Sequence, residues 1–291
     1  MIKCFGVVYR FHTLFVIMMA LSVVMGYYVE LLTLFGIVII HELGHVAAAQ
    51  HYGWKVTEIQ LLPFGGVAII DEQGSVTASE EIVVALAGPL QNALMISFAL
   101  LMKSTALWDD GWVDYFVQAN MGIALFNLLP ILPLDGGRVL QAILSYRISY
   151  YYTLKLTIWM SLFMSGVLLS GSLYHYPVAG LNLNILVIAI FLLATNWYSY
   201  RNLNYKFIRF LIGRSSRADH ILAHGGLAQP IVVLGELSVA HITKMFRREK
   251  YHLIYVLNKN GTIQAVVPEH RLIHDIFIEH RPISAVSELF M

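Results

Sequence analysis

Residues 41–45, His-Glu-Leu-Gly-His, set two imidazoles four positions apart with a carboxylate beside the first. On a helix, positions i and i+4 share one face, so both imidazoles can ligate a single cation while Glu42 reaches a water next to it. This is the HExxH arrangement of metal-assisted hydrolysis. Five residues recur by chance, but this copy lies inside an apolar run covering 31–50. A charge at a bilayer centre costs about 2.5–3.5 kcal/mol on insertion scales, so three ionisable groups in such a run mark a site. The competing bland reading is a polar patch satisfied by neighbouring helices.

A catalytic zinc takes three protein ligands and keeps a fourth position open. His51 follows His41 by ten residues, as in the longer pattern HExxHxxGxxH, but Ala48 stands where that pattern needs glycine. Val46-Ala47-Ala48-Ala49 continues a helix, which puts His51 about 15 Å along the axis from His41 and out of reach of the same ion. The better third ligand is Asp135, in Asn127-Leu-Leu-Pro130-Ile-Leu-Pro133-Leu-Asp135-Gly136-Gly137-Arg138. Pro130 and Pro133 stop a regular helix, and the paired glycines permit an unusual backbone path, so Asp135 is expected to point sideways from it instead of along a helix surface. Asp71, Asp109, Asp110 and Asp114 remain alternatives, in loops or flanks where solvated charge is the simpler explanation. With a single cysteine, Cys4, neither an internal disulfide nor a CxxC metal site can be built.

The elements that must position these residues are membrane spans. The 291 residues are 58% hydrophobic and 13% charged, with a mean hydropathy of +0.67, far from the usual mix of a soluble chain. Runs long enough to cross a hydrocarbon core, which takes ~20 helical residues, fall near 11–29, 31–50, 82–102, 113–131, 154–173 and 181–199. The expected fold is an α-helical polytopic membrane protein with six transmembrane helices over residues 1–200, the first retained because no small-residue cleavage site ends it. Lys3, Arg10, Lys55, Arg138, Arg147, Lys155 and the cluster Arg201, Lys206, Arg209, Arg214, Arg217 fall on one side of that arrangement, against Lys103 on the other. By the positive-inside rule both termini are then cytoplasmic. A net charge of +1 without a basic aromatic stripe argues against nucleic acid as a partner.

Residues 201–291 form a small α/β domain: strand His252–Leu257, turn Asn258–Gly261, strand Ile263–Val267, helix Glu269–Ile278. That order resembles half of a cystathionine-β-synthase (CBS) domain, a module that often senses adenine nucleotides, which implies ATP as a candidate ligand. A docking surface without nucleotide is the equal alternative.

His-Glu-Leu-Gly-His in one span with Asn-Leu-Leu-Pro-Ile-Leu-Pro-Leu-Asp-Gly-Gly in another resembles the paired signature of the site-2 protease family of intramembrane metalloproteases. The resemblance extends to Pro63-Phe64-Gly65-Gly66 and to Ala87-Gly88-Pro89-Leu90-Gln91-Asn92, and covers about the first two hundred residues. It implies an intramembrane zinc metallopeptidase with one Zn2+ on His41, His45 and Asp135, and with Glu42 as general base. Asn127 is the candidate donor to the oxyanion or to an unwound substrate. Residues 61–70, with Pro63, Phe64, Gly65 and Gly66, are expected to form a re-entrant or membrane-surface hairpin that pairs with substrate as an added strand. Resemblance to the sporulation branch implies a sigma-factor precursor as substrate, membrane inhibitor proteins as partners, and the mother-cell membrane around the forespore as location. Self-association is left open. The rival reading is a metal or proton transporter or channel with a CBS-like regulatory tail, whose flux would survive loss of Glu42.

Overall fold

The computed structural model describes residues 2–4, 7–11, 24, 26, 28–62, 65–71, 76–174, 183–214, 225–277 and 285–289, of which 2–4, 7–11, 28, 55–62, 65–71, 184, 275–277 and 288–289 through their backbone. The chain forms two compact units. One comprises Met1–Gln73, Ser79–Leu140 and Trp159–Trp197; the other comprises Gly74–Ala78, Gln141–Ile158 and Tyr198–Met291.

In chain order the elements are β1 (Ile2–Cys4), β2 (Val7–Phe11), α1 (Tyr28–His51), β3 (Lys55–Leu62), β4 (Gly65–Asp71) and α2 (Ala78–Ser104). There follow α3 (Asp110–Asn127), α4 (Asp135–Arg147), α5 (Tyr150–Tyr174), α6 (Leu183–Arg201), α7 (Leu203–Gly213), β5 (Ala228–Leu234), α8 (Val239–Thr243), β6 (Tyr251–Leu257), β7 (Ile263–Pro268) and α9 (Glu269–Phe277). A 3-10 turn, Val286–Leu289, comes last.

Among the described residues, three helices are long and apolar enough to cross a membrane: Val29–His51 in α1, then α2 and α5. Their outer faces are apolar where a soluble protein would be polar. Leu90, Leu94, Phe98 and Leu101 in α2 are exposed at spacings of four, four and three, a continuous stripe of the kind hydrocarbon covers. The apolar part of α6 is shorter, Ile185–Arg201, and α3 carries Asp110 and Asp114 in its first turns. Most of the expected first span, 11–29, lies outside the described residues. Where the sequence offers Lys3 and Arg10 as flanks of that span, the chain forms β1 and β2 instead.

These two strands join a four-stranded sheet in the order β1-β2-β3-β4. β2 runs parallel to β3, while β3 and β4 form an antiparallel hairpin closing from Lys55↔Asp71 to Leu62↔Gly65. The hairpin expected around 61–70 is therefore present and longer than expected, with β4 on the sheet's edge. Pro63 and Phe64, between β3 and β4 in the sequence, lie outside the described residues.

In the second unit β5 pairs parallel with β6, and β6 antiparallel with β7. The turn between β6 and β7 closes on Asn258, and Gly261 takes a φ of 79° that favours glycine. Alternate residues of β5 are buried, Ile231 and Val233, the period of a strand with one covered face. The strand, turn, strand, helix order over 252–278 agrees with the expectation to within a residue; β5 and α8 add to it.

Candidate active site

His41 and His45 lie in the second half of α1, with Nε2 atoms 3.2 Å apart and rings edge-on at 4.8 Å between centroids. Their Nδ1 atoms point elsewhere. His45 Nδ1 is 2.7 Å from the carbonyl of Val84, and His41 Nδ1 is 2.6 Å from Oδ1 of Asn92. Both partners are on α2, and both are acceptors, so each imidazole donates its Nδ1 proton there and keeps a bare Nε2.

Close approach of α2 to α1 makes these bonds possible, and it depends on glycine. A Cβ on Gly88 would sit 2.3 Å from His45 Nε2 and 2.7 Å from His41 Cε1, and one on Gly44 would sit 2.7 Å from the carbonyl oxygen of Ala87. Pro89 is held inside α2. The close packing at Gly88 is thus against the two imidazoles themselves.

Asp135 arrives from a separate element. The turn after α3 is held by Leu132 N–H donating to Ser161 Oγ at 2.8 Å and by Asn196 donating to the Leu132 carbonyl. Ile131 and Leu134 are packed with Leu192 in the core of this unit. Asp135 is the first residue of α4, a helix that the sequence reading did not include, so it is on a helix after all; the fixed turn before it does the aiming. A carboxylate in a first helical turn is also favoured by the helix dipole. The paired glycines serve differently from expectation. Neither has a positive φ; a Cβ on Gly136 would strike the Leu128 carbonyl, and one on Gly137 would lie 2.5 Å from the Ile131 carbonyl carbon. They are there for close approach.

Asp135 Oδ2 is 3.3 Å from Nε2 of His41 and 3.3 Å from Nε2 of His45. With 3.2 Å between the two nitrogens, the three atoms form a nearly equilateral triangle. With both rings neutral and donating from Nδ1, three lone-pair atoms face one another, and Oδ2, buried, has no hydrogen-bond partner among the described residues. Such an arrangement is repulsive until a cation enters it. Donors about 2.0–2.1 Å from a tetrahedral zinc are about 3.3 Å from each other, so the triangle fits that ion.

Glu42 is buried too, and its carboxylate lies with the imidazole nitrogens in a group whose atoms are within 4.8 Å of one another. Glu42 and Asp135 thus both offer a carboxylate to an ion between the two imidazoles. The two carboxylates bring two formal negative charges, which a divalent ion balances.

Other residues singled out in the sequence fall away from this cluster. His51 ends α1, exposed, with its ring against Tyr52 at 5.4 Å. Asp109 caps α3 by accepting from Gly111 N–H, and Asp114 pairs with Lys103 at 2.6 Å. Asp110 is 4.0 Å from the same lysine. Asn127 is buried at the end of α3, and its Nδ2 has no hydrogen-bond partner among the described residues. Asn92 and Asn120 hold no assigned role in the sequence reading. The signal that could have found them is an asparagine in the middle of an apolar span, which must be satisfied by something.

Known proteins resemble this chain in sequence and in fold. The sequence profile of Peptidase family M50 matches residues 29–119 and 102–170. The chain is 31% identical over 284 residues to stage IV sporulation protein FB of Bacillus subtilis (strain 168), an alignment spanning 96% of this chain and 95% of that protein. The chain belongs to Peptidase family M50. A zinc metalloprotease of Methanocaldococcus jannaschii is 38% identical over 128 residues, covering 42% of this chain and 36% of the relative. The solved structure of a site-2 protease from the same organism superposes with a TM-score of 0.56 at 26% identity, over 68% of this chain and 93% of that one. The M50 chain is accordingly an integral membrane protein and an intramembrane zinc metalloprotease. That membership rules out the transporter reading as its main activity.

Proposed function

We propose that His41, His45 and Asp135 hold one zinc ion and that Glu42 is the general base for hydrolysis of a peptide bond in a membrane-associated precursor near the cytoplasmic face. The observation that carries this is the triangle of His41 Nε2, His45 Nε2 and Asp135 Oδ2 at 3.2–3.3 Å. When bound there, zinc supplies Lewis acidity, which activates water near neutral pH and stabilises negative charge on oxygen. Glu42 takes the proton of the attacking water as its oxygen bonds to the scissile carbonyl carbon. It then delivers that proton to the amide nitrogen as the C–N bond breaks, so it ends as it began. Asn127, with a buried amide N–H2 free to donate, is suited to the carbonyl oxygen on which charge develops.

A peptide bond inside a substrate helix is shielded by its own hydrogen bonds and must be unwound. β4, with Gly65 and Gly66 at its start and Pro63 and Phe64 just before it, is an edge strand of its sheet. Unpaired backbone on such an edge can receive an extended substrate segment.

The full-length similarity to a sporulation protein supports a sigma-factor precursor as substrate, membrane inhibitor proteins as partners and the mother-cell membrane around the forespore as the location. The Lys and Arg distribution supports six spans with both termini cytoplasmic. The β5, β6, β7, α9 arrangement supports a CBS-like tail at 201–291 that binds the substrate's soluble part or ATP.

The test is cleavage of a membrane-associated sigma-factor precursor by detergent-purified protein, wild type beside Glu42→Gln, with zinc measured in both. Wild type is expected to hold one zinc and cleave; the variant is expected to hold zinc and lose roughly 10²–10⁴-fold in rate. A variant that cleaves at the wild-type rate removes Glu42 as base, and a zinc-free active wild type removes the metal site.

A further inference from the structure

We propose that Asn92 and Asn120 are positioning residues that together fix His41 in the tautomer whose Nε2 lone pair faces the metal. This rests on the zinc site proposed above. His45 is oriented simply, by a backbone carbonyl that can only accept. At His41 Nδ1 a side-chain amide stands instead, and an amide has both a donor and an acceptor end. Turned the wrong way, Asn92 would offer N–H2 to Nδ1, move the imidazole proton to Nε2 and abolish ligation.

The polarity is set two residues further on. Asn120 Nδ2 lies 2.9 Å from the carbonyl of Phe116, one turn earlier in α3. That oxygen can only accept, so Asn120 must present its N–H2 to it and keep Oδ1 for its other neighbour. Asn92 Nδ2 donates to that Oδ1 at 3.1 Å, which leaves Asn92 Oδ1 facing His41 Nδ1 at 2.6 Å. The direction of every bond follows from the one group at the end that cannot be reversed. Asn92 and Asn120 are both 0% exposed and His41 is 2% exposed, so water does not substitute for either amide. Gly88 and Asn92 lie one turn apart on α2: the glycine admits the imidazoles and the asparagine holds one of them. Partners of metal-bound histidines of this kind are worth about 10–100-fold in metal affinity.

The alternative is ordinary polar adhesion between helices α2 and α3, and the two differ in what an aspartate does. The measurement is zinc affinity of the detergent-purified full chain by chelator competition, with thermal melting of the zinc-free form as a check on folding. Asn92→Leu is expected to weaken zinc about 10–100-fold. Asn120→Leu frees Asn92 to reverse and is expected to weaken it less, roughly several-fold. Asn120→Asp still accepts from Asn92 and keeps the polarity, so its affinity should stay close to wild type although its bond to Phe116 is lost. Equal affinities for Asn120→Leu and Asn120→Asp overturn the proposal even if Asn92→Leu does not fold. His41→Ala separates the two levels. Zinc bound as tightly as in wild type by that variant defeats the site itself, whereas loss of zinc in His41→Ala with full affinity in Asn92→Leu defeats the relay alone.

Discussion

Each compact unit buries a triad containing histidine and a carboxylate, and the two are finished to different degrees. In the second unit Glu269, on α9, accepts from Arg214 Nε at 3.1 Å and from its Nη2 at 2.8 Å. It also accepts from the backbone N–H of His252 at 3.0 Å and from His252 Nδ1 at 2.8 Å. Arg214 spends its remaining donors on the carbonyls of Arg247 and Lys250. His252 Nε2 accepts from Arg247 N–H, and its ring stacks on Phe246 at 4.9 Å. One positive and one negative charge cancel, and every strong donor has an acceptor. The His41, His45, Asp135 triad has the opposite character: with neutral rings three acceptors converge, and Asp135 Oδ2 has no hydrogen-bond partner among the described residues. Burial and residue type are nearly the same in both places. What distinguishes a staple from a site is whether the polar groups complete one another.

The contrast breaks most sharply at Asp135. Asp135→Asn removes a ligand but also one of the facing lone pairs, so zinc and cleavage are expected to fall to background while the melting temperature of the zinc-free protein holds or rises. A large fall in that melting temperature would show that Asp135 is structural, like Glu269. In the staple the effect is reversed. Glu269→Leu strands the buried Arg214 charge and should cost the second unit about 3–5 kcal/mol, read as a lower denaturation midpoint, with the zinc content of the folded protein unchanged.

A smaller effect sharpens the comparison through pH. Burial lowers the His252 pKa from its ordinary 6.5 and outweighs the opposing hydrogen bond to Glu269. Burial raises that of Glu269, but its bonds to His252 and Arg214 outweigh this and hold it below its ordinary 4.5. Both groups therefore resist protonation more in the folded than in the unfolded chain, and folding loses stability as protons are added. Stability of the second unit should be full above about pH 6.5, decline below that as unfolded His252 takes up its proton, and fall further below about 4.5 until the folded Glu269 titrates. Denaturation midpoints from pH 7.5 to 4 check this, and His252→Phe should flatten the upper part of the curve.

Legibility in the sequence followed the range of the interaction. His41, Glu42 and His45 were readable because their chemistry is local to one helical turn. Asp135 was readable because two prolines and two glycines announce an interrupted helix, although its place at the head of α4 was hidden: Gly136 and Gly137, poor helix formers, make that helix's start look like loop. The β6 to α9 order was carried by alternation and by Asn258 to Gly261. β1 and β2 were read as the approach to a span, since β3, the strand that ties β2 into the sheet, lies more than forty residues away. Arg214, His252 and Glu269 are joined only in space, as are Asn92 and Asn120, so no periodicity pointed to them.

His41 and Asp135 are 94 positions apart, 135 less 41, and four helices must be in place before they meet. During synthesis, the motif on α1 therefore enters the membrane long before the residue that completes it. A nascent or truncated chain ending before Asp135 carries the signature of a peptidase without the third ligand proposed above, so premature termination is expected to yield an inert product instead of an unregulated one.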